Sequence, residues 1–149
     1  MRRCIAYQDA QGLTIVPVNF AYVADFAQRP HRLRLFAHSA LEGRKVDAIR
    51  AAGNALPVAF EMDCDARIYT GRTPCATTTA FRSIIGTGTA SLVEETREKI
   101  DVLELLLAQC AAMPDARLLP RQMDKVAVWR IDSTDFTAKH HPAPAMHRE

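Results

Sequence analysis

Ser39, Glu42, Arg44 and Lys45 fall together where an apolar segment, Leu33–Ala37, runs into a short helical one that starts at Ala40 and closes at Gly53. Ser39 followed by Glu42 has the spacing of a capping box. That box places Arg44 and Lys45 near the positive end of the helix macrodipole, where a cation is unfavourable by roughly several tenths of a kcal/mol. A bound anion reverses the sign, because free backbone N–H groups, a serine hydroxyl and two cations on one spot form a phosphate cradle. The same residues also read as a capped amphipathic helix with two solvated cations. Ser39 is compatible with both, since one hydroxyl offers donor and acceptor sites.

These residues need a scaffold, and the flanking patterns supply one. Cys4–Gln8 and Leu13–Tyr22 read as two strands around the turn Asp9–Gly12. A loop over residues 25–32, with Pro30, precedes the strand Leu33–Ala37. Beyond the helix stop at Gly53-Asn54, Pro57 opens a strand over Val58–Asp63. Residues 65–79, with Gly71, Pro74 and three consecutive threonines, read as an exposed loop. Phe81–Val93 reads as a long strand bent at Gly86 and Gly88. Glu94–Ala112 carries Ile100, Leu103, Leu107 and Cys110 at helical spacing, and its extra Leu105 and Leu106 hint at a second packing surface. Lys125–Ile131, with the only tryptophan, Trp129, is the last strand. Strands with two inserted helices and no βαβ alternation exclude a doubly wound sheet and predict a mainly β fold, a small antiparallel barrel.

At 149 residues the chain suits one domain. A net charge of +2, with basic residues scattered along the chain, argues against nucleic-acid binding. No apolar run approaches a membrane span and the N-terminus lacks a signal-peptide core, so the expected location is cytoplasmic. Cys4, Cys64, Cys75 and Cys110 form no CxxC pair and predict neither a disulfide framework nor a metal site. Cys4 and Cys110 read as buried packing, and Cys64 and Cys75 as reduced bystanders flanking a loop.

Taken together, Thr14–Tyr22, Leu33–Gly53, Val58–Asp63, Phe81–Ala90 and Phe136–Lys139 occur in the order seen in the pyridoxamine 5′-phosphate oxidase-like flavoproteins. The chain resembles that superfamily over residues 3 to 139, and within it the small single-domain branch that includes the 5-nitroimidazole reductases linked to nitroimidazole resistance. The resemblance implies an FMN-binding split β-barrel over residues 1–139, without the helix that precedes the first hairpin in relatives, and a disordered tail over 140–149. It also implies a two-fold homodimer with the flavin in a groove between subunits.

On that resemblance Ser39, Arg44 and Lys45 contact the flavin phosphate, and Pro17, Val18 and Asn19 run beside the ring, with Asn19 on a central strand and addressing the ring edge. His38 touches the cofactor and positions substrate or relays a proton, or ligates haem iron. Arg82 and Ser83 face the groove, where Arg82 reaches the partner's flavin or pairs with Glu61 or Asp63. The Phe136-Thr-Ala-Lys139 piece departs by two residues from the family's Met-Thr-Gly-Lys, which leaves Lys139 a lesser candidate. The expected function is FMN-dependent reduction of a small electrophile such as a nitroimidazole, with electrons from a reduced nicotinamide or another donor. Paired basic residues that grip a substrate phosphate in true oxidases are not evident near the C-terminus. The alternative is a non-catalytic flavin- or haem-binding sensor, since FMN, deazaflavin and haem would use much the same groove.

Overall fold

The computed structural model describes residues 2–144. Seven strands form one antiparallel sheet: β1 (Arg2–Asp9), β2 (Gly12–Pro17), β3 (Ala21–Asp25), β4 (Arg32–Ser39), β5 (Leu56–Tyr69), β6 (Thr78–Val93) and β7 (Ala127–His141). Their order across the sheet is β2-β1-β5-β6-β7-β4-β3. Helix α1 (Arg44–Ala51) follows β4, and α2 (Thr96–Ala111) follows β6. No helix among the described residues is long and apolar enough to cross a membrane.

Side chains from opposite halves of the sheet meet in one core. Ile5 and Tyr7 of β1, Val58 and Phe60 of β5, Leu35 and Ala37 of β4, and Trp129 and Ile131 of β7 pack in a single buried cluster. Strands that far apart in the sheet share a core only if the sheet curls on itself, so the fold is the split barrel, with β2 and β3 as its free edges. The opposite face of β4 and β7 carries Phe36 and Val128, which pack with Val93, Val102 and Leu106 under α2. Leu103 and Leu105 are partly buried against that same cluster, so the crowded leucines of α2 serve one packing surface among the described residues.

Several expected boundaries move. Leu13–Tyr22 is two strands, not one: Pro17 has no N–H to continue the ladder, and residues 18–20 cross from the β2 edge to the β3 edge, with Val18 N donating to Arg3 O at 3.1 Å. Asn19 therefore lies outside any strand and is exposed, so the central-strand position expected for it is corrected. The loop expected over residues 65–79 shrinks to 70–77. A bulge between Cys64 and Arg67 absorbs the irregularity, with Asp65 at φ 58°, and Ile68 and Tyr69 then pair with Thr79 and Thr78. Strand β7 runs through His141, opposite Phe81, and so takes the first two residues of the stretch read as a disordered tail. Residues 145–149 of that tail lie outside the described residues. Cys110 is exposed and Cys4 partly buried, which corrects the buried-packing reading, and all four cysteines are free thiols. The Cys110 thiol donates to Phe20 O at 3.1 Å, beside the Arg3 guanidinium.

Candidate functional site

Ser39 is still a ladder residue, opposite Ala127, and its hydroxyl donates to Ala40 O at 3.2 Å. The capping box expected of Ser39 and Glu42 therefore does not form. The cap position falls to Gly43, at φ 128°, a conformation that favours glycine and leaves the helix without a side-chain cap. The N–H groups of Arg44, Lys45 and Val46 precede the first intrahelical donor, Asp47 N to Gly43 O at 3.0 Å, and stand open. Nothing lies within 4 Å of the direction a side chain at Gly43 would take. The start of α1 is thus an uncapped set of donors behind an exposed Gly43.

The two cations at this start behave differently. Arg44 is bound to Asp9 in the β1–β2 turn, Nε to Oδ2 at 2.7 Å and Nη2 to Oδ1 at 2.9 Å, and Nη2 also donates to Gly12 O at 3.0 Å. Lys45 is half-buried, with its ammonium 5.0 Å from the centroid of the Trp129 ring, and has no carboxylate partner among the described residues. Burial pushes its pKa below the ordinary lysine value. Trp129 is fully buried, and its indole N–H has no partner. Open N–H groups, an unpaired half-buried ammonium and the Ser39 hydroxyl fit a phosphate group well.

The Arg44 guanidinium holds the Asp9 carboxyl below the usual carboxylate range. Because the folded-state pKa is depressed, the stabilisation from this pair is complete above the unfolded pKa of about 4 and is lost as pH falls through the lower folded value. The melting temperature is expected to drop on acidification below about pH 4, and Asp9→Asn is expected to flatten that decline. Identical acid profiles for the two proteins in a thermal melt series would contradict it.

Arg82, Ser83 and Lys139 form a separate group around a cavity of about 640 Å3, also lined by Tyr22, Met62 and Cys64. Arg82 lies 3.5 Å from Asp65, the residue on the bulge, rather than from the Glu61 or Asp63 expected. The Lys139 ammonium sits 5.4 Å from the centroid of Phe81. On β7, Trp129 pairs with Ala37 while Lys139 pairs with Ser83, ten residues further along. Tyr22, on the same cavity wall, pairs with Leu35, which pairs with Ile131 two residues from Trp129, so the cavity extends along the barrel from Lys139 toward that end.

His38 and Ser39 adjoin in sequence but project to opposite faces of β4. Leu35 and Ala37 enter the barrel core and Phe36 packs under α2, so Ser39 continues the inner set and His38 the outer. His38 is exposed, as is Asn19, two residues before the start of β3 at Ala21, whose partner is Phe36. Pro17 shares the uncovered outer face of the sheet with Leu13, Ile15 and Ile85, while Val18 packs partly against the core.

A family model described as pyridoxamine 5′-phosphate oxidase matches residues 4–140. The chain belongs to that family. Among solved structures, a candidate 5-nitroimidazole antibiotic resistance protein from Bacteroides thetaiotaomicron is similar at 19% identity and a TM-score of 0.68, over 92% of this chain and 75% of that one. An FAD- and haem-binding protein from Mycobacterium smegmatis is similar at 14% identity and a TM-score of 0.69, over 97% of this chain and 68% of that one. A flavocytochrome from Azotobacter vinelandii matches at 14% identity and a TM-score of 0.67, over 99% of this chain and 65% of that one. These likenesses bear out the split-barrel fold of the pyridoxamine 5′-phosphate oxidase family. No curated protein sequence matches the chain significantly.

Two residues at this family member's site escape sequence reasoning. Asp9 reads only as a turn former, and its Asx turn, Gln11 N to Oδ1 at 2.8 Å, accounts for that signal. Trp129 stands out as the lone tryptophan, but nothing local places it beneath Lys45.

Proposed function

We propose that this pyridoxamine 5′-phosphate oxidase family member is an FMN-binding flavoprotein that reduces a small electrophile such as a nitroimidazole, working as a homodimer. Lys45 carries the reading. A half-buried, unpaired ammonium at an uncapped helix start is unfavourable in the free protein and becomes favourable once an anion binds there. The N–H groups of residues 44–46, the Lys45 ammonium and the Ser39 hydroxyl bind the phosphate, and Val18 and Asn19 flank the ring along the crossing between β2 and β3. Bound flavin supplies the hydride and electron transfer.

A homodimer brings two cradles and two Arg82 cavities together, and the partner's Arg82 completes each flavin site. The uncovered outer face supports a homodimer, since Leu13 is 80% and Ile15 72% exposed on it. His38, exposed at the end of β4 on the face opposite Ser39, is the proton-handling group, so His38→Ala is expected to keep FMN affinity within about threefold while lowering turnover by roughly 100-fold. Equal loss of binding and turnover would move His38 out of that role.

The test is anaerobic reduction of the FMN-loaded protein by reduced nicotinamide or dithionite, followed by addition of a 5-nitroimidazole. Reoxidation of the flavin with loss of the nitro absorbance is the expected result. A yellow protein whose reduced flavin is never reoxidised by nitro compounds would overturn the reductase reading and favour a flavin-binding sensor.

A further inference from the structure

We infer that Arg44 acts on the anion site through Asp9, neutralising that carboxylate and fastening α1 to the β1–β2 hairpin, and that it does not itself grip the anion. The inference rests on the anion site of the proposed function. A guanidinium has five N–H donors, and here the Nε edge and both hydrogens of Nη2 are taken by Asp9 and the Gly12 carbonyl. The Asp9 side chain is only 12% exposed, and Gln11 N holds it from the other side. Nη1 keeps two hydrogens without a partner among the described residues, but for its Nε–Nη2 edge to grip an anion in the bidentate way, Arg44 would have to leave Asp9. That would uncover a nearly buried carboxylate within one arginine side chain's length of the bound anion.

The electrostatics follow from the pairing. Asp9 and Arg44 together bring no net charge to the start of α1, and Lys45 remains the net cation of the cradle. Removing Arg44 alone both loosens the helix start and exposes the site to an unpaired negative charge, and that orphaned charge is a main part of the penalty for truncating one partner of a partly buried pair. Removing both partners takes the repulsion away. Asp9 is thus a positioning residue whose influence on anion binding appears only when its partner is lost.

The affinity ratio of FMN to riboflavin isolates the phosphate contribution, so fluorescence titrations of both ligands against wild type, Asp9→Asn, Arg44→Ala and the double variant decide the matter, with a thermal melt of each. Arg44→Ala is expected to lower the FMN preference about tenfold or more. The double variant is expected to return to within about threefold of wild type, and Asp9→Asn alone not to lose preference. Arg44→Gln replaces Arg44→Ala in the same comparison if the alanine variant does not fold. A double variant as poor as Arg44→Ala would show Arg44 gripping the phosphate directly and overturn the inference. Equal weakening of FMN and riboflavin would reduce the pair to a structural tie and overturn it as well. A wild-type protein with no preference for FMN would overturn the phosphate reading itself.

Discussion

Replacing Gly86 by valine is expected to destabilise the protein by about 3 kcal/mol, lowering the melting temperature by roughly 10 °C. Gly86 lies in the middle of β6 between Phe60 on β5 and Phe136 on β7. A Cβ there would stand 2.6 Å from the Phe60 ring, 2.7 Å from the Asp135 carbonyl oxygen and 2.7 Å from the Phe136 Cβ. Phe60 is buried in the barrel core and the Asp135 oxygen is backbone, so neither can swing aside. The two aromatic rings cover the sheet where the glycine leaves room, which lets β6 and β7 bend together at their bulge near Thr87. A thermal melt of Gly86→Val within about 2 °C of wild type would contradict this close approach.

Substitution of Lys45 by methionine is expected to have opposite effects on stability and on binding. It removes a half-buried charge from the unfavourable end of α1 while keeping a flexible apolar stem over Trp129, so the free protein is expected to gain about 0.5 kcal/mol. The same change removes the one unneutralised cation of the cradle and is expected to weaken FMN binding by roughly 10- to 100-fold, the scale of a charge-assisted hydrogen bond to phosphate. Riboflavin, which lacks the phosphate, is expected to bind both proteins alike. A residue that costs stability in the free protein and supports a ligand is a mark of a functional site. Thermal melts and FMN titrations check the two halves separately. A variant that melts lower than wild type and binds FMN equally well would return Lys45 to a packing role.

Much of this organisation is legible in the sequence because it depends on local pattern. The helical spacing in α2, the run from Leu33 into α1 and the β-rich stretch from Phe81 each announce their element within a few residues. The unexpected features depend on partners distant in sequence. Asp9 and Arg44 are 35 residues apart, and no local signal links a turn aspartate to a helix-start arginine. Leu13–Tyr22 is otherwise rich in strand formers, and Pro17 marks the point where the chain leaves β2 to cross to the other free edge of the barrel. Ser39 and Glu42 match a capping box in spacing, but pairing with Ala127 keeps Ser39 in the sheet and moves the helix start to Gly43. Tertiary pairing overrode a local capping preference there, and the result is an open helix end in place of a closed one.

The most direct test of flavin binding is an absorption spectrum of the purified protein recorded before and after incubation with excess FMN and desalting. Flavin bands retained at about one per chain, with loss of those bands in Lys45→Met, are the expected result. A protein that retains no flavin after desalting, or that carries a Soret band instead, would contradict the FMN cradle at the start of α1.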